Sequence, residues 1–225
     1  MIRTILRFLY KAKIFKRIIP SLLKLSTRIY KKKIIIKHQN IFLSIDLMSP
    51  IDKELYLKNK YELEQITFFI NEIEKNNIKN FVDVGAHSGL YSLLISKKGI
   101  FVDAFEPVNE NYKNLLENKE LNKIDNIKLH NKALSDKKEK VIMWVSNKNK
   151  TGGYSIYDSK DEELAKYNID KLYKIESYTV IGDDILTFRN KKIAIKIDVE
   201  RHEKNVLKGL KEVLLNNEVT IQVEL

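Results

Sequence analysis

The segment "FVDVGAHSGLYSLLISKKG", residues 81–99, constrains the fold more than any other part of the chain. Apolar strand-forming residues run into Asp83 and Gly85, and apolar positions resume at helical spacing after Gly89. A strand that ends in a glycine turn and restarts as a helix is the junction of an α/β sheet. The rhythm returns at "IFVDAFEP" before a helix over 109–122, at the strand "NIKLHNKAL", at "KIAIKIDVE" before a helix over 202–215, and at the closing strand "EVTIQVEL". Short, largely apolar strands separated by helices predict a mainly parallel sheet with helices on both faces. The expected fold is therefore α/β, with residues 81–225 as the main domain. Residues 137–188 break the rhythm: "KVIMWVS", "GGYSIY" and "SYTVI" read as shorter strands of a β insertion between the third and fourth core strands, a candidate substrate lid.

Ahead of this domain, residues 33–80 form a lead-in. "KIIIKHQNIFLSIDL" reads as two strands around a turn at Gln39 and Asn40, and residues 53–76 read as a helix, together capping one end of the sheet. Residues 1–32 form a basic segment in which apolar positions recur at the spacing of an amphipathic helix, bent at Pro20. Residues 1–45 carry twelve Lys or Arg and no acid, leaving 29 of the 41 basic residues, against 30 acids, on the other 180. The positive field is thus local. It argues against a broad basic face for nucleic acid and for either a peripheral contact with an anionic membrane or a helix packed on the domain. The segment is too interrupted by charge to cross a bilayer and lacks the features of a secretory signal. No cysteine is present, which excludes disulfides, thiolate metal sites and a cysteine nucleophile and suits a cytoplasmic location, peripheral at the inner membrane face if the segment binds lipid. The four histidines are scattered and no metal site is expected.

Ligands in such sheets sit beyond the carboxyl ends of the strands, and four places there carry chemistry. In the first, Asp83 ends a strand, Gly85, Ala86 and His87 form the turn, Ser88 is placed to cap the helix, and Gly89 opens its first turn; glycines there admit a ligand close to the backbone. The same pattern also suits a turn that only packs. In the second, Glu106, followed by Pro107, is positioned to accept both hydroxyls of a ribose, or to cap the helix that follows; Asp103 ranks below it. In the third, Ala133, Leu134, Ser135 and Asp136 end a strand in small and polar residues that suit the edge of an adenine ring, or an ordinary Ser-Asp turn. In the fourth, "KIDVERHE" places Asp198 and Glu200 in strand alternation with His202 close by, a set able to bind a hydroxyl, remove its proton or stabilise a positive centre. Alternatively, Glu200 caps the helix and His202 is solvated.

In this order, "DVGAHSGLYS", "AFEP", "ALSD", "IGDDIL", "KIDVE", "VLKG" and the final "QVEL" resemble the FkbM family of S-adenosylmethionine-dependent methyltransferases over residues 50–225. The resemblance implies a Rossmann-like class I methyltransferase acting on a hydroxyl of a sugar, glycan or small metabolite, with S-adenosyl-L-methionine as cofactor. By the match, Asp83, Gly85 and Gly89 line the methionine and ribose part, Glu106 holds the ribose, residues 133–136 edge the adenine, and Asp198 and Glu200 face the reacting methyl. The chain departs from the family at His87, where Asn is usual, and at Arg201, His202 and Glu203, where Gly-Ala-Glu is usual; bulky Arg201 is expected to narrow the acceptor site. It also ends at the fifth strand, where such sheets usually continue through a hairpin of two more. Two other readings stand beside this one. A nicotinamide-dependent oxidoreductase would use the same sheet, but its three-glycine fingerprint fails at His87. A non-catalytic, membrane-attached binding protein would explain the basic start.

Overall fold

The computed structural model describes residues 2–10, 15–30, 33–47, 49–58, 62–145, 155–156 and 173–224. Two basic helices, α1 (Ile2–Tyr10) and α2 (Phe15–Tyr30), precede the hairpin β1 (Ile34–His38) and β2 (Ile41–Ile45). The hairpin is antiparallel and turns at Gln39, whose φ of 50° is the left-handed conformation a tight turn requires. The helix expected over 53–76 is two helices, α3 (Pro50–Lys58) and α4 (Leu63–Lys75). Glu62, at φ 49°, leaves the helical region between them, a reversal that apolar periodicity does not report.

Five parallel strands form the centre: β3 (Asn80–Val84), β4 (Phe101–Phe105), β5 (Ile127–His130), β10 (Lys192–Ile197) and β11 (Glu218–Val223), in the order β11-β10-β3-β4-β5. The crossover helices are α5 (Leu90–Ser96) and α6 (Asn109–Leu121); the helix expected over 202–215 is divided at Leu210 into α7 (Glu203–Gly209) and α8 (Lys211–Leu215). Asp183 holds the start of α8, accepting hydrogen bonds from the Glu212 and Val213 amides at 2.9 Å each, which gives "IGDDIL" a structural role. Strand alternation sorts the core to two faces. Phe81, Val102 and Ala194 join the hairpin, α4 and α5 on one face, while Val82, Val84, Ile193, Ile195 and Ile197 pack with Val206, Leu210 and Val213 on the other.

"NIKLHNKAL" is not one strand. After β5 the chain leaves the central sheet, and β6 (Ala133–Ser135) pairs in parallel with β9 (Tyr173–Ile181). With β7 (Lys140–Val145) and β8 (Ser155–Ile156) these make a second sheet, ordered β6-β9-β7-β8. The insertion therefore has its own sheet. Residues 146–154 and 157–172 of the segment expected as a lid lie outside the described residues.

Candidate active site

The parallel strands point their carboxyl ends into one cleft of about 220 Å³, between the turns after β3, β4 and β10. The turn after β3 is pinned to the neighbouring strand: the Gly85 and Ala86 amides both donate to the Phe105 carbonyl at 3.0 Å. Gly85, at φ +85°, sits so close to β10 that a Cβ would lie 1.9 Å from the Asp198 carbonyl oxygen. His87 follows at φ 51°. Asn, usual there in the family, tolerates that conformation better than most residues. Ser88 does not cap α5; the N-cap is Gly89, and Ser88 Oγ lies 3.3 Å from His87 Nδ1.

Glu106 lines the cleft and is 4% exposed. Its Oε2 accepts from the His87 amide at 2.8 Å and its Oε1 from the Val108 amide at 2.9 Å, so it clasps the β3 and β4 turns together. Glu106 does not cap α6, whose N-cap is Val108 without a side-chain cap hydrogen bond. Burial pushes its pKa up to about 7, against the lowering effect of the two amides. Pro107, Ala133 and Leu134 also line the cleft, as do Ala86 and His87.

Three expected cofactor residues do not line it. Gly89 packs against Leu115, whose Cδ1 would lie 2.1 Å from an added Cβ. Ser135 is buried with its Oγ 2.9 Å from His202 Nε2, and Asp136 accepts from Asn205 Nδ2 at 3.0 Å. That bond, above all, holds the Asp136 carboxyl below its usual range. The pair ties the second sheet to α7. The reason is the divided third strand: once residues 133–135 join another sheet, their ends face α7. Asp103 is also outside the cleft, with its Oδ1 2.8 Å from His130 Nε2.

Asp198, Glu200 and His202 all line the cleft, although β10 ends at Ile197 and a loop, not strand alternation, brings them there. Burial lowers the His202 pKa, so the imidazole is neutral near pH 7. Arg201 does not line the cleft. Its departure from the family's glycine falls instead on the backbone, which at φ 67° keeps the conformation glycine favours.

Sequence reading missed Lys196. It is 3% exposed, its Nζ donates to Asp198 Oδ2 at 2.8 Å, and it lies 4.7 Å from the centre of the Tyr91 ring. Register explains the cluster: Lys196 stands opposite Asp83 on one side and Gln222 on the other, so three strands contribute one polar row to the face under α5. Gln222 donates to the Tyr91 hydroxyl at 3.1 Å, and Ser92 donates to Asp83 Oδ2 at 2.5 Å. Burial raises the pKa of Asp83, an effect Lys196 opposes. For Lys196 itself, burial acts downward, but Asp83 and Asp198 outweigh it and the pKa is raised. The available signal was a lysine inside the apolar run "KIAIKI".

Seven acids line the cleft, Glu224 of the last strand's end among them, against two lysines, Lys132 and Lys196. That balance suits a cationic ligand and opposes a pyrophosphate. Among the described residues no group of His, Cys, Asp or Glu could hold a metal ion.

A parallel sheet in this order with a glycine turn, a buried acid after the second strand and a cleft at the strands' carboxyl ends defines a Rossmann-like α/β domain. The model of the Methyltransferase FkbM domain matches residues 83–225, and the chain belongs to this family of S-adenosylmethionine-dependent methyltransferases. No curated protein matches the chain. Solved structures similar to it include an S-adenosylmethionine-dependent methyltransferase from Agrobacterium tumefaciens, at 10% identity and TM-score 0.36 over 45% of this chain and 33% of that one. Another is the Pyrococcus abyssi tRNA (uracil-54, C5)-methyltransferase in complex with S-adenosyl-L-homocysteine, at 10% identity and TM-score 0.42 over 80% and 32%. TehB from Haemophilus influenzae matches at 15% identity and TM-score 0.38 over 74% and 42%. The chain thus spans between a third and two fifths of the length of these proteins, and the family assignment rests on the sequence match.

Proposed function

We propose that this chain transfers the methyl group of S-adenosylmethionine to a hydroxyl oxygen of a sugar or glycan. The observation that carries the reading is Glu106, a buried acid clasping the β3 and β4 turns at the edge of an acid-rich cleft, in a chain of this family. The residues present fit the cofactor. Gly85 leaves the turn open to close approach, Glu106 is placed to accept ribose hydroxyls, Ala133 and Leu134 offer an apolar wall, and the excess of acids suits a sulfonium. When bound, S-adenosylmethionine supplies a methyl carbon that a hydroxyl oxygen can attack directly.

The chain's own work is alignment and proton removal. Lys196 fixes one oxygen of Asp198, and the Asp198 side chain remains 36% exposed. Asp198 is thereby a fixed base beside the acceptor site, with Glu200 orienting the acceptor. His202 is the alternative base, with its Nε2 already engaged with Ser135. Asp198→Asn is expected to lower kcat by about a hundred- to ten-thousandfold while leaving S-adenosylhomocysteine affinity nearly unchanged. Unchanged kcat in that variant removes Asp198 from the role.

Glu106 gives the reading a pH signature. Its folded pKa of about 7 exceeds the ordinary 4.5, so between those values the ligand-free fold holds a proton that the unfolded chain has released, and stability falls as pH rises. A ligand whose hydroxyls donate to the ionised carboxylate acts in the opposite sense. Calorimetry should show S-adenosylhomocysteine binding tighten as pH rises through about 7 and level off above. In Glu106→Gln the affinity should be weak and flat with pH. No heat with S-adenosylhomocysteine, or heat with NAD instead, defeats the proposal.

A further inference from the structure

The apolar stripes of the N-terminal helices are broader than the domain covers, so each helix has a covered and a bare side. One face is satisfied: Ile19 is buried, Leu6, Leu9, Tyr10, Phe15 and Leu23 pack against the core, and Arg3 Nε donates to the Tyr56 carbonyl of α3 at 3.2 Å. The other face is bare. Ile5 and Phe8 of α1 are 51% and 74% exposed, and Ile18 and Leu22 of α2 are 49% and 58% exposed. Spacings of three and four residues put each pair on one stripe of its helix. On α2, Phe15, Ile18, Ile19, Leu22 and Leu23 follow the spacing of one broad stripe that the domain covers only in part, and the part left bare is open to a contact.

Charge selects the occupant. Residues 1–45 hold twelve basic residues and no acid, and Lys16 is exposed. A second copy would set this charge against itself. An anionic bilayer complements the stripes and the charge together. No helix among the described residues is long and apolar enough to cross a membrane, so the contact lies in the interface plane. We propose that α1 and α2 attach the protein to an anionic membrane surface, with Ile5, Phe8, Ile18 and Leu22 in the acyl boundary and Lys16 at the level of the headgroups. Because α1 packs on α3, whose Ile51, Asp52 and Leu55 line the cleft, the attached helices adjoin one wall of the cleft. Resting on the methyl-transfer reading, this selects a lipid-carried glycan as acceptor.

The test is sedimentation of the full chain with vesicles of phosphatidylcholine alone and of phosphatidylcholine mixed with phosphatidylglycerol. The expected result is binding to the anionic vesicles only, weakened by salt, and reduced at least about tenfold in the variant Ile5→Ser, Phe8→Ser, Ile18→Ser, Leu22→Ser. S-adenosylhomocysteine binding by that variant, unchanged from the parent, shows that it is folded. Absent binding, equal binding to neutral vesicles, or undiminished binding by the variant overturns the proposal. So does a dimer in sedimentation equilibrium that the same substitutions dissolve, which assigns the face to a second copy. Parent protein that binds vesicles but not S-adenosylhomocysteine defeats the methyl-transfer reading and leaves the surface standing.

Discussion

Lys196→Met is expected to destabilise the protein by about 3–5 kcal/mol at neutral pH, the cost of removing one partner from a buried ion cluster. Methionine fills nearly the same volume, so the loss is electrostatic. Asp83, 1% exposed and with Oδ1 lacking a hydrogen-bond partner, then faces Asp198 with no cation between them. The sign follows from Asp83. Burial already sets its folded pKa above the ordinary value, so the fold favours its proton, and stability falls as pH rises through that interval. Without Lys196 the interval extends upward. The deficit measured by urea unfolding should therefore be largest near neutrality and shrink as pH falls and protonation of Asp83 relieves the repulsion. Asp83→Asn combined with Lys196→Met should recover more than half of the loss, a coupling that additive effects do not give. A deficit independent of pH, or no recovery in the double variant, assigns Lys196 to packing alone.

Gly85→Ala should be at least as damaging, about 4 kcal/mol or more, because two penalties coincide. The backbone at φ +85° is strained for any residue with a side chain, and the new methyl would meet a backbone carbonyl of β10's end at 1.9 Å, which no rotamer change can move. Relief requires the ends of β3 and β10 to part, which opens the cleft at Asp198. Gly99→Ala is the control: its φ is +74°, and nothing lies within 4 Å of an added Cβ. That variant should lose only the conformational cost of about 1–2 kcal/mol. Thermal unfolding of both separates strain from collision, and equal losses would place the whole effect at Gly85 in φ.

Glu106, Gly85 and Asp198 are legible in the sequence as residues of the cleft because each stands at the end of an apolar run, where strand, turn and helix signals meet. Ser135 and Asp136 lie away from the cleft because reading "NIKLHNKAL" as extended chain says nothing about which sheet a strand joins, and after His130 the chain changes sheets. The Arg201 and His87 departures looked like changes of the site's lining. One is partly so, since His87 lines the cleft, but both also fall on left-handed backbone, a property of turn geometry that residue spacing leaves open.

By itself the sequence determined the alternating strands and helices, the parallel sheet, the family, and the confinement of positive charge to the first 45 residues, because these depend on local periodicity and composition. Only the tertiary structure decided that Asp83, Lys196 and Gln222 form one row, that Glu106 clasps two turns, and which part of the apolar stripes of the N-terminal helices stays bare. Strand register and helix docking bring together residues more than a hundred positions apart in the chain. The energy of a buried charge is set by those neighbours, which no local stretch of sequence contains.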